Sequence, residues 1–178
     1  MSQLTGGRMF KRILCPIDGS DAAARALNVA AELARDQQAE LLICSDVDPS
    51  HAAAMAFGDP GMSALCYDAL ESEAQALLRE AAARVGDLVA VQTIRVSGQP
   101  SSGILECAAS AGADLIVMGS HGRSGIERAL LGSVAESVLR HASVPVMVVR
   151  RDGRERQPTK PSARERDSAA RSLPAQSA

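Results

Sequence analysis

The sequence predicts an α/β sandwich built on a mostly parallel sheet, and three observations carry that expectation. Five strand-like segments alternate with four helix-like ones along the chain. The strand-like segments are continuous apolar runs rather than alternating ones, as strands buried on both faces require. Right-handed crossovers between such strands then place helices on both faces of the sheet.

Arg12 to Ile17, RILCPI, reads as the first buried strand and ends at Asp18-Gly19-Ser20. Ser20 is a good N-cap for a helix over Asp21–Arg35, whose Ala23, Leu27, Ala30, Ala31 and Ala34 recur at helical spacing. Glu40 to Val47 is the second strand. Asp48 to Ala64 holds two prolines and two glycines and reads as a loop. Leu65 to Val85 follows as a helix with Leu70, Ala74, Leu77, Leu78 and Ala81 on one face. Leu88 to Val96 is a strand, and Ser101 or Ser102 can cap a helix over Gly103–Ser110. Asp114 to Met118, the helix Gly132–His141 and the strand Val144–Arg150 complete the alternation.

The chain has 178 residues, which fits one domain with tails. The domain is expected over residues 10–150. Residues 1–9 read as a loose extension, with Met9 a second candidate initiator because MFKRILCPIDGS enters the strand directly. Residues 151–178 are rich in Arg, Pro, Ser and Ala without apolar period and are expected to be disordered. That tail carries +3 of formal charge, which leaves −5 on the rest of a chain of net charge −2. Nothing in this balance attracts nucleic acid or an anionic membrane. The only aromatics are Phe10, Phe57 and Tyr67, too few for a base-stacking platform. No apolar run is long enough to span a bilayer and no signal core is visible, so a cytoplasmic location is expected. Cys15, Cys44, Cys66 and Cys107 show no C-x-x-C spacing. Cys15 and Cys44 lie in strand-like runs and read as buried thiols.

Ligands of open α/β sheets bind beyond the carboxyl ends of the strands, where the strand order reverses. Asp18, Val47 and Gly119 all sit just past such ends. The stretch from Gly119 to Ser133, GSHGRSGIERALLGS, stands out. Gly122 and Gly125 would let the loop adopt positive φ and let a ligand approach the backbone. Gly132-Ser133 then opens a helix whose free N–H groups favour an anion. Ser133 adds a hydroxyl, and Arg123 and Arg128 add charge. The loop lacks the GK[ST] ending of a P-loop.

With these residues the chain resembles the universal stress protein A family. Gly119, Gly122, Gly132 and Ser133 fit the pattern G-x2-G-x9-G-[ST] of that family's nucleotide-binding members. KRILCPIDGSDAAARAL resembles its first strand and helix, and ADLIVMGSHGRSGIERALLGSVAESVLRHASVPVMVVR its C-terminal signature. The resemblance implies a Rossmann-like three-layer α/β/α sandwich with a five-stranded sheet, of the adenine nucleotide alpha hydrolase-like kind. It implies ATP with Mg2+ as ligand and a homodimer formed through the last strand. Carried over by position, Asp18 would bond the ribose or the adenine edge, and Pro16, Ile17, Val47 and Met118 would line the adenine slot. Gly119, Gly122, Gly132 and Ser133 would hold the phosphates, with Arg123 and Val134 beside them.

Simpler readings stand beside these. Asp18 precedes Gly-Ser and could be a turn residue. Met118 could be core filler, and the glycines could serve close packing of helix on sheet. His121 could reach a phosphate or be a solvated loop residue. His141 is explained by a helix C-terminus. A metal pair of His51 with Asp46 or Asp48 lacks diagnostic spacing. Three functions therefore compete. The first is a nucleotide-responsive stress module; the second a slow ATPase, phosphotransferase or adenylyltransferase; the third a structural dimer without nucleotide. VPVMVV, Val144 to Val149, would be an exposed apolar edge that pairs with another copy.

Overall fold

The computed structural model describes residues 8–122 and 131–150. Most of the expected N-terminal extension, Arg123, Gly125 and Arg128 of the glycine loop, and the tail from Arg151 lie outside the described residues. The element order is β1 (Arg12–Pro16), α1 (Asp21–Gln37), β2 (Glu40–Val47), α2 (Pro49–Met55), α3 (Pro60–Val85), β3 (Val91–Ser97), α4 (Pro100–Ser110), β4 (Leu115–Gly119), α5 (Ser133–His141) and β5 (Val146–Val149).

The strands form one sheet in the order β3-β2-β1-β4-β5, and all four pairings are parallel. The central strands explain the continuous apolar runs. Ile13, Leu14, Leu41, Leu42, Ile43, Ile116 and Val117 are fully or almost fully buried because helices cover both faces. Ile13, Ile43 and Val117 pack with the small stripe Ala23, Ala26, Ala30 and Ala34 of α1 and with Leu78 and Ala81 of α3. On the other face Leu14, Leu42 and Ile116 pack with Ile104 and Cys107 of α4 and Val138 of α5. Truncating one of these, for example Leu14→Ala, would cost about 2–5 kcal/mol. No described helix is long and apolar enough to cross a membrane.

Helix α1 starts as expected: the Ala23 N–H donates to Ser20 Oγ at 3.2 Å. It runs on to Gln37 and stops where Gln38 turns left-handed at φ 52.

Three expectations are corrected. The segment 48–64 is largely helical, because each proline sits at the start of a helix behind a capping aspartate. Asp48 accepts from the Ser50 N–H to open α2, and Asp59 accepts from the Met62 N–H to open α3. Neither Ser101 nor Ser102 caps α4. That helix begins at Pro100, its N-cap is Gln99, and no side chain caps its amides. The strand expected from Leu88 begins at Val91, since the Leu88 N–H still bonds the Val85 carbonyl in the turn that ends α3.

Candidate functional site

The strand order fixes where a ligand can sit. From β1 the chain builds outward to β2 and β3, then returns to place β4 on the other side of β1. The helices that follow β1 and β4 diverge to opposite faces and leave a crevice at the carboxyl ends. A cavity of about 380 Å3 occupies that position. Pro16, Ile17 and Asp18 line it from β1, Met118, Gly119, His121 and Gly122 from β4 and its loop, and Gly132, Ser133 and Val134 from the start of α5.

Nine of the eleven expected site residues thus meet in one crevice. Arg123 lies outside the described residues. Val47 is 3% exposed and does not line the cavity; its carbonyl accepts from the Gly98 N–H at 3.1 Å. Its neighbours Asp46 and Asp48 line the crevice instead. Ser45 of β2 lines it too, while the Val47 side chain is buried.

Asp18 does two things. Its Oδ1 accepts from the Ser20 N–H at 3.0 Å, which is the turn role. Its Oδ2 lies against Gly122, where an added Cβ would come within 2.6 Å of it. A side chain at Gly122 would therefore displace the Asp18 carboxylate from its place. It does not have the positive φ expected from the sequence, which among the described glycines belongs to Gly19, Gly58, Gly98 and Gly112.

Gly119 also has a packing reason. A Cβ there would lie 2.8 Å from the carbonyl carbon of Ala22 and 2.9 Å from its Cβ, so α1 crosses directly over it. Gly132 differs. Its φ of −73° suits any residue, and the nearest described atoms to an added Cβ are 3.4 Å away, ordinary contact.

Gly132 is the N-cap of α5 and supplies no side-chain cap. The Gly132 N–H donates to the Ser120 carbonyl at 2.8 Å, which fixes the entry angle of the helix. Ser133, Val134 and Ala135 of the first turn all line the crevice, so the positive end of the α5 dipole opens into it. Pro100, first residue of the other uncapped helix, lines it too.

The opposite wall comes from α2 and α3. Asp46, Asp48, His51, Leu70, Glu73, Ala74 and Leu77 form a mixed acidic and apolar surface. The sequence signal for Leu70, Ala74 and Leu77 was a helical stripe, which says that a face is covered but not by what. The Ser50 hydroxyl and N–H both donate to Asp48 Oδ1, at 2.7 and 2.8 Å, and this holds the Asp48 carboxyl below its ordinary range.

His121 Nδ1 is 3.1 Å from the Oγ of the buried Ser120. His141 Nδ1 is 2.8 Å from the Ser137 carbonyl at the end of α5, consistent with the helix-terminus reading. No cluster of three or more His, Cys, Asp or Glu able to hold a metal ion exists among the described residues, so the pairing of His51 with Asp46 and Asp48 gives no metal centre by itself.

Strand order, layers and crevice define a Rossmann-like, adenine nucleotide alpha hydrolase-like domain. The chain belongs to the universal stress protein family, whose model matches residues 9–150. It is 36% identical over 151 residues to Universal stress protein MJ0531 of Methanocaldococcus jannaschii, covering 84% of this chain and 88% of that one. The solved structure of MJ0577 from the same organism superposes with a TM-score of 0.72 at 30% identity, over 80% of this chain and 97% of that one. A universal stress protein solved in complex with cAMP superposes with a TM-score of 0.57 at 29% identity, over 79% and 97%.

Proposed function

We propose that the crevice binds an adenine nucleotide, ATP by preference, and that the chain is a nucleotide-responsive module of the stress response rather than a fast enzyme. The observation that carries this reading is the two-ended wall. Glycine backbone and the open amides of α5 line one end, suited to phosphate, while apolar and acidic side chains of α2 and α3 line the other, suited to a base and ribose. Asp18 stands between them on β1. The cAMP complex of a family member supports an adenine ligand.

Mg2+ enters as counter-ion of the phosphates, because the described residues offer no metal cluster of their own. Phosphoryl transfer needs a positioned nucleophile and charge stabilisation at the transferred group. The described crevice residues supply anion donors and two histidines, His51 on the α2 side and His121 beside the Ser120 hydroxyl. That favours slow hydrolysis or self-phosphorylation as the second reading. A homodimer through β5 belongs to the proposal as well: the strand pairs with β4 on one side, and Met147 on it is 39% exposed.

Calorimetric titration of nucleotide-stripped protein with ATP and magnesium tests the reading. Saturable binding that Gly132→Val abolishes is expected. No heat from the folded protein, or unchanged affinity in that variant, would hand the fold to the structural-dimer reading.

A further inference from the structure

The α2–α3 hairpin carries a surface that its own fold does not use. Met55, Phe57, Met62 and Leu65 are 50, 98, 51 and 65% exposed, half of the large apolar side chains exposed among the described residues. They fall within eleven consecutive positions. Phe57 stands at the tip with φ 51, a left-handed conformation uncommon for a bulky residue, just before Gly58 at φ 88. The fold thus holds one of its three aromatics out in water.

Met62, Leu65, Cys66, Ala69, Leu70 and Glu73 recur at helical spacing and make one stripe on α3. All but Met62 line a groove of about 270 Å3 with Met55 of α2. Methionines at such a surface adapt to the shape of a partner. Between residues 48 and 73 the Asp, Glu, Lys and Arg side chains are of one sign. Residues 48–73 contain Asp48, Asp59, Asp68, Glu71 and Glu73 and no Lys or Arg. Arg95 of β3 answers Glu71 at 3.3 Å; Asp68 flanks the stripe on the exposed side.

We propose that this hairpin is a docking surface for a basic amphipathic helix of a partner protein, its apolar anchors seated between α2 and α3 and its Lys or Arg residues against Asp68 and Glu73. An apolar groove with spaced anchor positions is how a helix is bound, and Glu73 in the groove with Asp68 beside it selects its charge. The same carboxylates oppose an anionic lipid surface. The proposal stands whether or not the neighbouring crevice holds a nucleotide.

The test uses the full chain and a fluorescent Leu/Lys amphipathic peptide of about 18 residues, five helical turns. Saturable binding by anisotropy is expected, weakened about tenfold or more by Phe57→Ser with Met62→Ser and several-fold by Asp68→Lys. These side chains are exposed, so the fold is expected to survive, and circular dichroism checks it. Bound peptide should also slow alkylation of Cys66, which lines the groove. A Leu/Glu peptide of the same pattern should not bind. Equal binding of the two peptides, unchanged affinity in the double variant, or unprotected Cys66 would overturn the proposal. So would self-association that the double variant abolishes, which would make a second copy the occupant, or binding of phosphatidylglycerol vesicles that the same variant loses.

Discussion

Gly119 and Gly132 belong to one sequence pattern, yet the atoms around them set opposite consequences for one added methyl group. At Gly119 a Cβ would lie 2.8 Å from the Ala22 carbonyl carbon and 3.0 Å from its oxygen. Ordinary contact begins near 3.4 Å, so α1 must withdraw from β4 by about 0.6 Å against a close-packed layer. Overpacking of this kind costs about 1–3 kcal/mol. Alanine in place of glycine within a strand returns about 0.5–1 kcal/mol. Gly119→Ala should therefore lose about 1–2 kcal/mol, or about 0.5–1 M in urea midpoint at a slope near 2 kcal/mol/M. At Gly132 the backbone is already ordinary and the described neighbours of an added Cβ stand at ordinary contact distance. Reduced freedom of the unfolded chain and a poorer N-cap roughly cancel, so Gly132→Ala should stay within about 0.5 kcal/mol of the parent. On the nucleotide reading ATP affinity should fall in Gly132→Ala, because the methyl is added at the N-cap of α5, beside the first-turn residues that line the crevice. Urea unfolding followed by far-UV circular dichroism (the chain has no Trp) and calorimetry read the two quantities separately. A Gly119→Ala protein as stable as its parent, or a Gly132→Ala protein destabilised by more than about 1 kcal/mol, would refute the division.

Asp18→Ala should weaken adenosine binding more than it weakens binding of inorganic triphosphate; equal adenosine affinity would leave Asp18 as a turn residue. Burial pushes the Cys15 thiol up to about 12, and the hydrogen bond with Cys107, together with burial, raises Cys44. With all three buried, iodoacetamide should label only Cys66 rapidly in the native protein, and Cys66→Ser should remove that fast phase. Because the Asp48 carboxyl is held below its ordinary range by Ser50, its support of α2 is complete above pH about 4 and lost as pH falls through the lowered value. The protection factor of the residue-50 amide, the exchange rate corrected for its intrinsic pH dependence, should fall in that acid window, and in Ser50→Ala the loss should begin at higher pH. Met147→Asp should turn a homodimer into monomers by sedimentation if β5 is the dimer edge; unchanged mass would remove that edge from consideration.

Much of the fold was legible because burial on both faces leaves a plain mark. RILCPI, ELLICSDV and DLIVMG are apolar runs too short for helices, and the Ala stripe of α1 has helical period. The hairpin was illegible as helix because Pro49 and Pro60 were counted as breakers. Asp-Pro is equally a helix start, with the aspartate as cap and the proline where no N–H is needed. The β1 and β4 side of the crevice was readable from local pattern, since Asp18 and the glycines follow strand ends. The α2–α3 wall was not. Leu70, Ala74 and Leu77 approach the crevice only through the packing of α3 on the sheet, and no local spacing records which end of a helix reaches a strand terminus. At the end of β2 the side chain of Val47 is buried, and Ser45, Asp46 and Asp48 line the crevice around it.

The glycine pattern itself now weighs differently between the competing functions. Gly119 is required by the crossing of α1, whereas a Cβ at Gly122 would meet only the carboxylate tip of Asp18, which can shift. A chain of this fold that held no nucleotide would still need the first. Gly119 is thus a poor witness for a ligand, and Gly122 a weak one. Gly132 is the better one: no described atom demands it, and it opens an uncapped helix whose first turn faces the crevice. A serine, threonine, asparagine or aspartate there would cap α5 and stabilise it by about 0.5–2 kcal/mol relative to alanine. It would also put its own oxygen where an anion would otherwise meet the amides. Keeping glycine at the N-cap leaves those donors open, which serves a phosphate and does nothing for a purely structural dimer.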